Sequence, residues 1–370
     1  MRDIVSMELR QLELVNFKNY REQRVRFSGG INVIYGNNGS GKTNLLDAIY
    51  VLSFGKSYFS IADRALVQDH QPYYRLQGDY HSDDRQFQLT FKYQQESRRQ
   101  ITLNGKKLKQ VNDLIGRFPL VMVAPDDISV VYGGSKERRQ FFDRILCQSD
   151  PEYLGSLLQY NRVLRHKDAV LKSDVPVDAI TIEAANRQLV PLAELLLQRR
   201  LEGMERIKPL ILDHYRDISG EAENIAIEYQ SDLREVGMAE AFGKMIQAEI
   251  RARRTLVGVQ RDDYIFSISE KPLKKFGSQG QIKSFLYSLR MGEYYFLATS
   301  LHRNPILLLD DYFEKLDRQR LTHLLQRISS EDFGQVFLTD TELDRSQRIL
   351  KECDIDYQSF QVVEGRIVDL

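Results

Sequence analysis

The run Ile31-Asn-Val-Ile-Tyr-Gly36-Asn37-Asn38-Gly39-Ser40-Gly41-Lys42-Thr43-Asn-Leu-Leu-Asp-Ala-Ile-Tyr50 decides the fold class of this 370-residue chain. An apolar strand pattern from Ile31 to Tyr35 feeds a loop that matches GxxxxGK[ST], and a helical pattern begins at Asn44. Strand, loop and helix in that order are the context a phosphate-binding loop needs. Gly36, Gly39 and Gly41 let the backbone curl, so that successive N–H groups and the start of the helix face one anion. Lys42 is then placed to neutralise the β- and γ-phosphates, and the Thr43 hydroxyl to ligate Mg²⁺. The expectation is an α/β P-loop protein that binds ATP, with residues Gly36, Asn37, Asn38, Gly39, Ser40, Gly41, Lys42 and Thr43 around the phosphates.

A P-loop needs a second acid to hold Mg²⁺, and the apolar strand Pro305-Ile-Leu-Leu-Leu309, closing on Asp310-Asp311, supplies it. Alone, that pair would read as a solvated strand end. Beside a P-loop, an apolar strand that ends in two carboxylates calls for a cation, and Asp310 is the metal candidate. Lys42 and Asp310 are separated by most of the chain, which implies a large insertion and argues against a compact kinase or GTPase. No NKxD or TKxD tetrapeptide for guanine recognition occurs.

The intervening texture supports the insertion. Strand patterns run over Leu9–Phe17, in two pieces over Val25–Tyr35, over Phe87–Tyr93 and over Gln100–Leu103, the last followed by the turn dipeptide Asn104-Gly105. After Gly133-Gly134 the chain turns helical to about Arg254, with Ser135 placed to cap the first helix. Leu197, Leu201, Met204, Ile207 and Ile211 form one helical face, which Pro209 is expected to kink or end. Heptads are not sustained, so the reading is a short arm of antiparallel helices. From Thr255 onward, strand patterns at Tyr264–Ile268, Pro305–Leu309 and Gln335–Leu338 alternate with helical ones at Gly280–Leu301 and Arg318–Ile328, as in a parallel sheet. The expected division is 1–134 for the N-terminal part of an ATPase head with a β-rich lobe, 135–254 for an inserted helical arm, and 255–370 for the rest of the head.

Composition narrows the partners. Lys and Arg number 52 and Asp and Glu 52, so bulk charge cannot hold this chain on a polyanion, and any nucleic-acid contact must be local. The two cysteines, Cys147 and Cys353, are far apart and fit neither a disulfide scaffold nor a zinc site. No apolar run of transmembrane length and no secretory signal pattern is present, which points to the cytoplasm and to no membrane partner.

Joined in order, these motifs resemble the RecF family of ABC/SMC-like ATPases. The resemblance rests on Leu14-Val-Asn-Phe-Lys-Asn-Tyr20, on the loop from Gly36 to Thr43 with Asn44 to Lys56 after it, and on Ala124-Pro-Asp-Asp-Ile128. It continues through Gly258-Val-Gln-Arg-Asp-Asp263, Ser278-Gln-Gly-Gln281 and Leu308-Leu-Asp-Asp-Tyr-Phe-Glu-Lys-Leu-Asp317, and so covers essentially the whole chain. It implies an ABC-type head that dimerises with ATP between protomers. Lys42 and Thr43 would be its Walker A pair, Asp310 the Walker B metal ligand and Asp311 the catalytic carboxylate. Ser278, Gly280 and Gln281 would belong to the signature that reaches the partner's ATP, and Asp317 to the D-loop. Three departures limit the transfer: Gly258-Val259-Gln260 replaces Gly-Pro-His, Glu314-Lys-Leu-Asp317 replaces Ser-Glu-Leu-Asp, and Thr339-Asp340 stands at the switch position with no histidine, as is common in the family.

The function so implied is ATP-dependent, sequence-indifferent binding of double-stranded DNA at gaps or junctions, with slow DNA-stimulated hydrolysis, in recombinational repair and replication-fork maintenance. RecR- and RecO-type mediators are the implied protein partners. Local basic clusters at Lys106, Lys107 and Lys109, at Arg138 and Arg139, at Arg162, Arg165 and Lys167, and at Arg251, Arg253 and Arg254 are the candidate phosphate contacts. The competing readings are another SMC-like chromosome ATPase and, from a different class, a metabolic P-loop kinase or a transporter's ATP-binding subunit. The latter two would lack the helical insertion.

Overall fold

The computed structural model describes residues 5–82, 85–95, 99–219, 223–233, 237–311 and 333–368. By packing the chain forms two compact units, one of Met1–Asp127 with Glu293–Leu370 and one of Ile128–Gly292.

The first unit holds two sheets. One is antiparallel, in the order Tyr20–Arg26, Glu8–Phe17, Tyr73–Ser82, Arg85–Gln94, Gln100–Leu103, Lys106–Lys107. Its strands follow from alternation: in Tyr73–Ser82 the even positions Tyr74, Leu76, Gly78, Tyr80 and Ser82 are buried and the odd ones half-exposed. The other sheet runs Arg366–Val368, Tyr357–Val363, Ile31–Tyr35, Val336–Asp340, Ile306–Leu309, Leu120–Val123, parallel except at the first pairing. The inner strands Val336–Asp340 and Ile306–Leu309 and the edge strand Leu120–Val123 are buried throughout, as strands covered on both faces must be.

The helix Lys42–Phe54 belongs to the same core as both sheets, with Leu45, Leu46, Ala48, Ile49, Tyr50, Val51, Leu52 and Phe54 all buried. A helix apolar over most of its circumference has to be enclosed, and each of its large aliphatic or Phe side chains contributes about 1.5–3 kcal/mol by leaving water. Gly78 permits the approach, since a Cβ there would stand 2.9 Å from Leu52 Cδ1. The loop that ends in this helix is thereby anchored from below.

The second unit is helical with a small sheet. Its helices are Ser135–Ser149, Pro151–Leu171, Ala179–Ser219 and Met238–Ala252, and Gln279–Leu301 begins in it. Three expectations are corrected here. The residue capping Ser135–Ser149 is Gly134, whose N–H donates to Glu137 Oε2 at 2.8 Å, so Ser135 is already the first helical residue. Pro209 does not end Ala179–Ser219, which continues through both Pro191 and Pro209. Burial of Leu189, Ala193, Leu196, Ile207, Ile211 and Tyr215 along one stripe outweighs the hydrogen bonds lost at the prolines. That stripe runs through Leu196 and Arg200, while Leu197 and Leu201 are only half-buried. Finally, Asp263–Ile268 does not join the parallel sheet. It pairs antiparallel with Ile225–Gln230, a strand the helical texture concealed.

Arg200 explains why a guanidinium sits in the apolar stripe. At 2% exposure its Nε donates to Asp143 Oδ1 at 3.0 Å, and its Nη1 to Asp262 Oδ2 at 3.1 Å and to Val259 O at 2.8 Å. Arg138 makes a bidentate pair with Asp263 at 2.7 and 2.8 Å. The Arg261-Asp262-Asp263 element therefore clamps its own unit together. Removing one partner of such a buried pair costs about 3–5 kcal/mol, because the other charge is stranded.

Candidate nucleotide-binding site

The carboxyl ends of the parallel strands carry the site. Ile31–Tyr35 and Val336–Asp340 are in register, Tyr35 beside Asp340, and the Gly36 N–H donates to Asp340 O at 3.3 Å. Gly36 adopts φ +152°, and a Cβ there would lie 2.2 Å from Val362 O, so no side chain fits. At the helix start Gly41 has φ +120° and no side chain caps it, and the first helical bond is Leu45 N–H to Gly41 O. The N–H groups of Lys42, Thr43 and Asn44 thus have no partner within the helix and, with the helix dipole, favour an anion.

Lys42 is 4% exposed, and its ammonium donates to Gly36 O at 2.7 Å and Asn37 O at 3.1 Å. No carboxylate pairs with it among the described residues. Thr43 Oγ1 donates to Asp310 Oδ1 at 2.9 Å, joining residues 267 positions apart. Asp310 follows Leu309, which pairs with Leu338, so Thr339 falls beside it and its hydroxyl also donates to Asp310 Oδ1, at 3.1 Å. A hydroxyl and a carboxylate at this spacing form a hard oxygen donor set of the kind Mg²⁺ takes. Ser40 Oγ and Asp311 Oδ1 are buried without a hydrogen-bond partner among the described residues. These features fit a bound Mg²⁺ and triphosphate.

Of the other sequence-derived residues, Asp311 directly follows Asp310, Ser278, Gly280 and Gln281 lie in the second compact unit, and Asp317 lies outside the described residues. The helix after the signature starts at Gln279, one residue before the helical pattern that begins at Gly280. The Ser278 hydroxyl accepts the Gln281 N–H at 3.2 Å while Gln281 Oε1 accepts the Ser278 N–H at 2.7 Å, a reciprocal cap. Gln281 Nε2 is further held by Glu223 at 2.9 Å, and Ser278 itself is exposed.

Residues from the Leu14–Tyr20 motif brace the loop in a way its pattern did not disclose. Asn19 Nδ2 donates to Ser40 O at 2.9 Å, Asn44 Nδ2 donates back to Asn19 Oδ1 at 2.8 Å, and the Tyr20 hydroxyl donates to Gly41 O at 3.0 Å. Burial pushes the Tyr20 phenol far above its ordinary range, so it remains a donor throughout the accessible pH range. Lys18 pairs at 2.6 Å with Asp47, a fully buried carboxylate on the P-loop helix that also accepts from the Ser57 hydroxyl and the Tyr58 N–H, both at 2.8 Å. The outer side of the loop borders a cleft of about 540 Å³ whose walls include Glu342, Asp344 and Glu364. Those carboxylates would repel phosphate, whereas the uncapped helix start with its buried Lys42 would attract it.

The basic clusters divide. Arg138 is bound to Asp263, Arg139 donates to Asp262 O, and Lys167, fully buried, pairs with Glu249 at 2.7 Å and donates to Asn186 Oδ1 at 2.6 Å. These three are internal struts. Lys106, Lys107, Lys109, Arg162, Arg165, Arg251, Arg253 and Arg254 are exposed. Neither cysteine forms a disulfide, and among the described residues no helix is long and apolar enough to cross a membrane.

The sequence model described as the RecF/RecN/SMC N terminal domain matches residues 8–347. The DNA replication and repair protein RecF of Parabacteroides distasonis is 36% identical over 364 residues, covering 98% of this chain and 99% of its own. The chain belongs to the RecF family. Among solved structures it is similar to the recombination mediator protein RecF bound to an ATP analogue, described as part of a RecFOR pathway, with TM-score 0.89, 26% identity and full coverage of both chains. An Smc head domain from Pyrococcus furiosus shares the fold at TM-score 0.57 and 15% identity, over 98% of this chain and 96% of its own. The match to RecF is therefore much closer than the match to that Smc head, and it extends over the helical unit as well as the P-loop unit.

Proposed function

We propose that this RecF-family protein is an ATP-switched DNA-binding protein of replication and repair, in which ATP joins two copies into a clamp and slow hydrolysis releases it. One observation carries the reading: the buried Lys42 ammonium is bonded only to carbonyls among the described residues, at the uncapped start of the helix whose Thr43 meets Asp310. A buried cation facing open N–H groups is stable as an anion site and costly as anything else.

In this scheme Lys42 and the loop N–H groups hold the β- and γ-phosphates, and Thr43 and Asp310 hold Mg²⁺. The metal, when bound, neutralises phosphate charge and orients the triphosphate. Asp311 orients or deprotonates the attacking water, and its carboxylate is one methylene shorter than the glutamate usual in ABC ATPases, which suits a slow switch. Ser278, Gly280 and Gln281 engage the partner copy's nucleotide through the exposed helix start, and Asp317, outside the described residues, is assigned to the D-loop by the resemblance. The exposed basic residues contact phosphates of duplex DNA at gaps or junctions, and RecR- and RecO-type mediators are the protein partners. The names of the relatives and the RecF–nucleotide structure support this assignment to DNA replication and repair.

The test is a fluorescence-anisotropy titration of duplex DNA with and without Mg·ATP. Binding should strengthen with Mg·ATP, fall about 10³-fold between about 50 and 200 mM salt if some six phosphates are contacted, and hardly change for a scrambled sequence. Equal binding without nucleotide, or a strong preference for one sequence, would contradict the proposal.

A further inference from the structure

We propose that Thr339 is a positioning residue for hydrolysis: its hydroxyl joins the two strand-end acids, fixing Asp310 for the metal while holding the backbone turn that presents Asp311. The inference rests on the roles given above to Asp310 and Asp311. Thr339 is fully buried, and the register Leu309 to Leu338 sets it directly beside Asp310. Its Oγ1 donates to Asp310 Oδ1 at 3.1 Å and accepts the Asp311 N–H at 2.7 Å.

Both bonds use the hydroxyl's full character. A hydroxyl donates one proton and accepts on its lone pairs, so one small side chain can serve a carboxylate and an amide together. Asp310 Oδ1 receives two hydroxyls, from Thr43 and Thr339, which fixes the carboxylate plane toward the P-loop. Asp311 has φ +48°, a left-handed conformation that residues other than glycine rarely adopt. The Thr339 bond to its N–H favours that conformation, and the turn takes the Asp311 side chain off the strand's alternation. A threonine thus ties the metal-side acid to the water-side acid at the position where the sequence offers no histidine.

The full-length chain is compared with Thr339→Val, which keeps shape and removes the hydroxyl, and with Thr339→Ser, which keeps the hydroxyl. Single-turnover phosphate release with Mg·ATP and DNA, and affinity for a fluorescent ATP analogue, are measured on each. The valine variant should release phosphate at least about tenfold more slowly, as a small misplacement of a reacting group commonly does, while nucleotide affinity falls less than in Asp310→Asn because the Asp310 carboxylate and its bond from Thr43 remain. Thr339→Ser should recover most of the rate. Should the valine chain not fold, Thr339→Cys, with only a weak thiol, must show the same loss relative to serine. An unchanged rate in the valine variant, or equal losses in valine and serine, overturns the inference. Asp311→Asn run alongside separates the two levels. Continued turnover there contradicts the role of Asp311 itself, whereas turnover lost there but intact in Thr339→Val contradicts the role of Thr339 alone.

Discussion

Replacing Lys42 by methionine should weaken Mg·ATP binding by about 100- to 1,000-fold, and ATP-dependent DNA binding should disappear with it. The ammonium is buried, holds Gly36 O and Asn37 O, and lies at the uncapped start of the Lys42–Phe54 helix. Methionine keeps the unbranched apolar stem, so the core beneath the loop keeps its packing while the bonds to Gly36 O and Asn37 O are lost with the ammonium. What is lost is one charge-assisted contact to phosphate in a desolvated site, about 3–4 kcal/mol by analogy with truncated buried charge pairs, which at about 1.4 kcal/mol per decade gives the stated range. Isothermal titration with Mg·ATP measures it directly. Wild-type affinity in Lys42→Met would remove the P-loop from the account.

The second large effect separates the adjacent acids. Asp311→Asn keeps size and hydrogen-bonding capacity but removes the base, so phosphate release should fall by about 10²- to 10⁴-fold, the usual contribution of a general base. Nucleotide affinity and ATP-driven dimerisation should persist. Asp310→Asn should instead weaken Mg·ATP binding, because Asp310 Oδ1 is the atom bonded to Thr43. The division has a structural basis beyond strand alternation: Asp310 continues the strand, its N–H donating to Val123 O at 2.9 Å, whereas Asp311 turns away at φ +48°. Affinity titration and phosphate release on both variants check it. Full turnover in Asp311→Asn, or the same loss of Mg·ATP binding in both, would contradict the assignment.

Much of the nucleotide-binding unit could be read from the chain alone because its signals are local. A strand, a glycine-rich loop and a helix within twenty positions announce a phosphate site, and an apolar run closing on Asp310-Asp311 announces the strand beside it. The bonds made by Thr339 and Asn19 are not legible even though both residues stand in motifs the sequence shows, since each acts through one tertiary hydrogen-bonding neighbourhood. Periodicity found the buried stripe of Ala179–Ser219 at Met204, Ile207 and Ile211 but misplaced it by one residue at Leu197 and Leu201. Arg200 reads as a polar position, yet its guanidinium is satisfied by Asp143 and Asp262 from far along the chain. The same cause removes Arg138, Arg139 and Lys167 from the candidate DNA contacts: charge in a sequence looks free until its partner, here Asp263, Asp262 O and Glu249, is brought to it by folding.

The central claim is that the signature of one copy completes the nucleotide site of another, and sedimentation velocity with and without Mg·ATP tests it most directly on the full-length chain and on Ser278→Arg. Ser278 is exposed and its structural part is a helix cap, worth about 1 kcal/mol, so the variant should fold and bind ATP as a monomer. The account predicts that Mg·ATP converts the unaltered chain to a dimer and leaves Ser278→Arg monomeric. A monomer under both conditions for the unaltered chain, or a normal ATP-dependent dimer for Ser278→Arg, would contradict it.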